Sequence, residues 1–385
     1  MKVVHAAKFY PPVVGGMETL VESLCEGTAL DWDVRVVAAH DSRETVEEHR
    51  GRVRVERAGS MGIIASVPMC PSLPFHLWRE PADCLVLHEP NPVAGSAVFL
   101  RMPARRFIVW HHSDLLRPWW APHTYGYVQR ALYRRADCVV VTSPVAAAQS
   151  PLVGHARRVA VIPLGIDLGR FRTLQPAGLA VHEAIRATAS PPVILFVGRF
   201  VYYKGLDVLI NAMARCTGTL ILVGDGPLDI ELRAQVAALG IGSRVRFAGQ
   251  VPDHDLPAYY HASDIFVLPS VARTEAYGLV QTEAMAAGVP VVSTNLHTGV
   301  PWVNQDGVTG LVVPPGEPDA LAAALGALAA NPALRRTLGD NGRRRAVTLF
   351  SRDRTIEAFR NLVETTVRAP ELLDRLLPHA EPSRP

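Results

Sequence analysis

Lysine is almost missing from this chain. Lys2, Lys8 and Lys204 stand among 39 basic residues in 385, so arginine carries nearly all the positive charge, a bias to which we attach no function. Cysteine is scarce too. Cys25, Cys70, Cys84, Cys138 and Cys216 are scattered without paired spacing. That excludes a disulfide framework and a cysteine zinc site, and it fits a reducing compartment. No stretch approaches the roughly 20 apolar residues of a membrane-spanning helix. The opening "MKVVHAAKFYPP" has too short an apolar run for a signal peptide, so a cytoplasmic location is expected. The net charge of +3 is too small to imply nucleic-acid binding. Metal-ligand clusters are also missing, and neither a metal nor another cofactor is expected.

What is present is alternation. Half the chain is hydrophobic (49%) and 19% is charged, as in soluble globular proteins. Short β-branched runs such as "KVVHAA", "DVRVVAA", "CLVLH", "RRFIVWHH", "DCVVVTS" and "RVAVIP" alternate with longer helical patterns. The alternation restarts near Pro192 with "PVILFVG", "TLILVG", "RVRFAG", "DIFVLPS" and "VPVVST". Strands this apolar indicate parallel sheets covered on both faces. Two doubly wound α/β domains are expected, residues 1–168 and 188–349, joined by an aperiodic linker at 169–187.

Such sheets bind ligands beyond the carboxyl ends of their strands. "GGMETLVESL" puts Gly15 and Gly16 just before a helix N-terminus, where free N–H groups can hold an anion, although turn chemistry alone would also explain them. "FIVWHHSDLLRP" sets His111, His112, Ser113 and Asp114 past a strand end, with one histidine facing inward and the other outward. "FVGRFVYYKG" brings Arg199 and Lys204 to one loop, suited to a diphosphate unless both are merely solvated. "LVGDGPL" lacks the third glycine of a dinucleotide fingerprint. In "RTEAYGLVQTEAMAAGVPVV", Glu275 and Glu283 are the only charges after Arg273. Unpaired carboxylates are rarely buried, so the segment needs partners for both. A phosphate seat at the helix N-terminus near Gly278, with acceptor groups on either side, suits a phosphorylated polyol.

Taken in order, "PPVVGGMETL", "VIPLGIDLGRF", "GRFVYYKG", Glu275-x7-Glu283 and "DGVTGLVVPPGEPDAL" resemble the family 4 retaining glycosyltransferases over nearly the whole chain. The resemblance implies the GT-B fold, with two Rossmann-like domains facing a central cleft. A helix at 350–372 would cross back to the first domain, leaving a tail at 373–385. It also implies residue roles. Gly15 and Gly16 let their loop approach the donor diphosphate. His112, preferred to His111 because it precedes "SD", lies near the transferred sugar and the acceptor. Arg199 and Lys204 stabilise the departing diphosphate. Glu275 contacts sugar hydroxyls and Glu283 the ribose hydroxyls. Ala276, Tyr277, Gly278 and Leu279 bind sugar and phosphate, and the base lies near Gln250 and Val251.

The implied reaction moves a hexose, mannose first, from a nucleoside-diphosphate sugar to a saccharide or polyprenyl-diphosphate-linked acceptor, without a metal. UDP-sugar transfer, a GT-B epimerase or phosphorylase, and a non-catalytic sugar-nucleotide binder are the alternatives. From Arg101 to Arg135 seven arginines face one acid, Asp114, among Trp110, Trp119, Trp120, Tyr125, Tyr127 and Tyr133. That composition suits either an anionic membrane surface or a solvated helix over buried aromatics.

Overall fold

The computed structural model describes residues 1–13, 15–64, 67–114 and 121–376, with the backbone alone at 121–123 and 376. Arg117, Trp119, Trp120 and the tail beyond 376 lie outside the described residues. The chain forms two compact units, Met1–Leu164 with Arg352–Pro385, and Gly165–Ser351.

The first unit contains β1 (Lys2–Ala6), β2 (Asp33–Ala39), β3 (Val46–Arg50), β4 (Val53–Ala58), β5 (Ile63–Ile64), β6 (Val67–Pro68), β7 (Ala82–Glu89), β8 (Ala104–His111), β9 (Cys138–Val141) and β10 (Val159–Val161). Its main sheet runs β10-β9-β8-β7-β1-β2-β4-β3, parallel except for β3, which is antiparallel to β4; β5 and β6 pair separately. The helices Leu73–Trp78, Pro92–Leu100 and Ala121–Arg135 pack on one face, around Leu85, Leu87, Val109 and Val139. The helix Arg352–Arg368 packs on the other, against Gly16–Thr28. It buries Thr355, Phe359, Leu362, Val363 and Thr366, which share one face at helical spacing. Arg360 donates to the Gly27 carbonyl at 2.9 Å and so fixes it to the helix Gly16–Thr28.

Strands β3 and β4 interrupt the apolar pattern because their charges are paired internally. Glu56 is buried yet meets Arg35 at 3.2 Å and His76 at 3.0 Å, and Arg57 meets Glu48 at 2.7 Å. A buried charge is tolerated when paired in this way.

The second unit holds β11 (Val193–Val197), β12 (Thr219–Val223), β13 (Val245–Gly249), β14 (Ile265–Leu268), β15 (Val291–Thr294) and β16 (Gly310–Val313), all parallel, in the order β13-β12-β11-β14-β15-β16. Residues 169–187 are not a linker. They contribute the helices Leu168–Arg172 and Leu179–Thr188 to this unit. Phe171 packs edge-on to Tyr260 at 5.5 Å, a tertiary contact that gives order to a segment with no periodicity of its own.

Candidate active site

The second sheet grows outward from β11 through β12 and β13, then restarts on the other side of β11 with β14. That reversal opens a crevice beyond the carboxyl ends of β11 and β14. The loop after β11 carries Gly198, Arg199 and a 3-10 turn at Tyr202–Lys204; the loop after β14 carries Ser270 and Glu275. The two are tied together by Val271 N–H donating to Tyr203 O at 2.8 Å. Lys204 Nζ then donates to Glu275 Oε2 at 2.5 Å, and Ser270 Oγ to the same oxygen at 3.1 Å. Both charged side chains are about one-tenth exposed, 11% and 10%. The carboxylate that looked unpaired in sequence is answered by an ammonium 71 residues earlier. Arg199 is exposed, and its side chain forms no hydrogen bond or ion pair among the described residues, which leaves a free guanidinium at the end of the central strand.

Glycines let the neighbouring loops close in. A Cβ on Gly224 would collide with the Gly198 carbonyl, and Gly224 N–H donates to Gly249 O at 2.8 Å. Beyond Gly249, Gln250 donates to Asp225 Oδ2 at 2.9 Å, with Val251 next in the same loop.

The helix Leu279–Ala287 starts from Gly278, whose left-handed φ of 73° turns the chain and offers no side chain to cap the first N–H groups. A helix start without a cap can hold an anion. Ala276 O accepts from Gly299 N–H at 2.8 Å, and the Tyr277 ring is buried against Trp302 and Phe350. Glu283 lies in the second turn and accepts from the Tyr260 hydroxyl at 2.6 Å. Burial raises its carboxyl to about 7, against the lowering effects of Tyr260 and Arg170.

This pKa has a consequence for ligands. If Glu283 holds donor hydroxyls as an ionised acceptor, binding of a nucleoside diphosphate must remove its proton below pH ~7. Nucleotide affinity is then expected to weaken by up to about tenfold per pH unit as pH falls from 7 to 5. Glu283→Gln should flatten that dependence in calorimetric titrations. A wild-type affinity that does not change between pH 6 and 8 would count against this role.

In the first unit, Gly15 is the extended N-cap of the helix Gly16–Thr28. A Cβ on Gly15 would collide with the Glu18 carboxylate, which is folded back toward that helix start with Lys8 nearby. The two adjacent histidines diverge. His111 is buried, with Nδ1 2.7 Å from the Tyr133 hydroxyl, and burial lowers it to about 4. His112 is partly exposed; its Nε2 lies 3.1 Å from His88 Nδ1, and burial lowers it to about 3. Both are therefore neutral at pH 7.

Comparison with known proteins decides the family. Residues 15–165 match a model described as a glycosyl transferase 4-like domain, and residues 180–345 one described as glycosyl transferases group 1. The chain is 31% identical to O-antigen chain mannosyltransferase C of Escherichia coli, over 96% of this chain and 100% of that one. It is 33% identical to D-rhamnosyltransferase WbpZ of Pseudomonas aeruginosa, over 91% and 92% of the two chains. Sucrose-phosphate synthase from Thermosynechococcus elongatus superposes with a TM-score of 0.78 at 26% identity, covering 96% and 99%.

This chain is a family 4 glycosyltransferase.

Its fold is GT-B. Within the glycosyltransferase, Glu275, Lys204 and Ser270 come together, and Arg199 lies in the same loop as Lys204. Glu283 has Tyr260 as its partner, a residue that sequence reasoning missed along with Ser270 and Arg170. Only Ser270 carried a signal, at the end of "DIFVLPS". Gly15, Gly16 and His112 belong to the other unit. Among the described residues one group, Glu47, Glu56 and His76, brings possible metal-ligand atoms within 4.8 Å of one another. Arg79 on Glu47 and Arg35 on Glu56 already neutralise those carboxylates.

Proposed function

We propose that this glycosyltransferase moves a hexose, with mannose favoured, from a nucleoside-diphosphate sugar such as GDP-mannose to a saccharide or lipid-linked saccharide, with retention and without a divalent ion. The observation that carries this reading is the Lys204–Glu275 pair beside the unpaired Arg199 at the end of the central strand. Breaking the anomeric bond leaves negative charge on the nucleoside diphosphate and positive charge on the sugar. Arg199, Lys204 and the uncapped helix start at Gly278 supply positive potential for the departing group, which can be the largest catalytic effect. Glu275 keeps Lys204 in place and offers its second oxygen to sugar hydroxyls. Because Oε2 of Glu275 is held by an ammonium and a hydroxyl, same-face attack aided by the leaving phosphate is favoured over a protein nucleophile. The mannosyl- and rhamnosyltransferase names of the two relatives support the choice of sugar.

A thermal-shift panel of GDP, UDP, ADP and their sugars, with and without EDTA, followed by donor hydrolysis, tests the reading. GDP-mannose should stabilise the protein and be hydrolysed equally with EDTA present. A response confined to UDP compounds would replace the donor, and no response to any nucleotide would overturn the assignment.

We also propose that the first unit meets an anionic membrane surface from the cytoplasmic side. No helix among the described residues is long and apolar enough to cross a membrane. The helices Leu73–Trp78, Pro92–Leu100 and Ala121–Arg135, which share one sheet face, expose Phe75 (69%), Leu100 (75%) and Tyr127 (69%), with Arg101, Arg134 and Arg135 also exposed. Apolar side chains interleaved with arginine suit insertion among acidic headgroups. Co-sedimentation with phosphatidylglycerol vesicles should be strong at low salt and fall as salt rises. Equal recovery in the supernatant under all conditions would sink this proposal.

A further inference from the structure

Three histidines form a line across the first sheet, on the face covered by the helix Arg352–Arg368. His5 stands in β1, His88 in β7 and His112 one residue past β8, in neighbouring strands of one parallel sheet. His5 Nδ1 lies 3.0 Å from His88 Nε2, and His88 Nδ1 lies 3.1 Å from His112 Nε2. The ring planes are close to parallel, at 18° and 25°. Trp110 flanks His88 and His112, and Phe359 lies 5.5 Å from His5. His5 and His88 are fully buried, while His112 is partly exposed and its Nδ1 meets no partner among the described residues. The nitrogens are consumed in pairs along a line and do not converge on a point, so the arrangement is a hydrogen-bonded file and not a metal site.

Burial lowers all three imidazoles, His5 and His112 to about 3, so each is neutral and has one N–H and one lone pair. Only two proton orders then satisfy both internal bonds. In one, His112 Nε2–H donates to His88, His88 Nε2–H donates to His5, and His5 is left with an N–H at Nε2. That nitrogen is buried without a hydrogen-bond partner, so the proton would be stranded. In the other, His5 Nδ1–H donates to His88 and His88 Nδ1–H donates to His112, so His5 Nε2 keeps only a bare lone pair. Orphaned buried N–H groups are rarer than under-satisfied acceptors, and the second order prevails.

We propose that His5 and His88 are positioning residues that lock the His112 ring and its tautomer, so that His112 presents Nδ1–H as a hydrogen-bond donor to a substrate oxygen and does not act as a general base. An N–H donor there suits a sugar hydroxyl or an oxygen gaining negative charge. The role of this donor in catalysis rests on the glycosyltransferase reading above; the tautomer does not.

Long-range 1H–15N correlation of the histidine rings at neutral pH, with His112→Gln to assign the signal, reads the proton directly in the unliganded protein. The expected result is a protonated Nδ1 and a bare Nε2 on His112. A protonated Nε2 overturns the proposal. For catalysis, His88→Leu should lower kcat for GDP-mannose hydrolysis by about 10²-fold, with KM changed by less than about threefold, because orientation and not binding is lost. His88→Gln, whose carbonyl can accept from His5 and whose amide can donate to His112, should recover most of that loss and keep the His112 signal. Wild-type kcat in His88→Leu, or His88→Gln no better than His88→Leu, overturns the positioning role. If His88→Leu does not fold, the wild-type spectrum and the kcat of His88→Gln decide. If the wild-type protein fails to hydrolyse GDP-mannose, the donor assignment falls, and the ring spectrum still decides the tautomer.

Discussion

Lys204→Ala is expected to lower turnover by at least about 10²-fold, the scale of losing one transition-state stabiliser. The ammonium is held 2.5 Å from Glu275 by two loops that are themselves hydrogen-bonded at Tyr203 and Val271, so it is fixed in place before any ligand arrives. A fixed cation needs no reorganisation as charge develops on the leaving diphosphate. Glu275→Ala should cost a similar factor, since it frees Lys204 and removes an acceptor for sugar hydroxyls. Because the two act through one contact, the double variant should fall well short of the product of the single effects. Turnover of GDP-mannose in the single and double variants, with melting temperatures to confirm folding, measures this. Near-wild-type activity in both single variants would refute the assignment of the site.

Gly205→Ala should destabilise the protein by on the order of 3 kcal/mol and lower turnover as well. Gly205 follows Lys204 directly, at a left-handed φ of 65°. An added Cβ would collide with the Pro269 carbonyl, which is backbone and cannot swing aside, and would come 2.9 Å from Val271 Cγ1. Any relief moves the β11 loop away from the β14 loop, and Lys204 away from Glu275. Gly240 separates the two causes, having nearly the same φ of 66° and nothing within 4 Å of its Cβ position. Gly240→Ala should therefore cost only the backbone strain, about 1 kcal/mol. Equal midpoints for the two variants in urea unfolding would show that the Pro269 clash is not felt.

The fold was legible where strands are apolar and lie between helices. Runs such as "PVILFVG" and "DIFVLPS" mark β11 and β14, and their succession implies the parallel sheets that the structure contains. Strands β3 and β4 were not legible, because Glu48, Arg54, Glu56 and Arg57 make "VEEHR" and "VRVERA" look like surface. Arg35 and His76, the partners of Glu56, lie on other elements, Arg57 pairs with Glu48 across the two strands, and a local pattern cannot show that charges cancel in this way. The segment 169–187 is illegible in the sequence for a related reason. Phe171 is buried against partners far along the chain, Tyr260 among them, which local periodicity does not show.

By itself the sequence determined the class of fold, the family motifs and which residues could carry the chemistry, because strand patterning and strand-end residue types are local properties. Tertiary structure alone decided the pairings. Glu275 meets Lys204, Glu283 meets Tyr260, and His112 meets His88 and, through it, His5. Such contacts join strand ends and helices that are 23 to 83 residues apart in the chain. A polar group's charge and hydrogen-bonding state are set by what lies within about 3 Å of it and by how much water is excluded, and neither is encoded in its near neighbours.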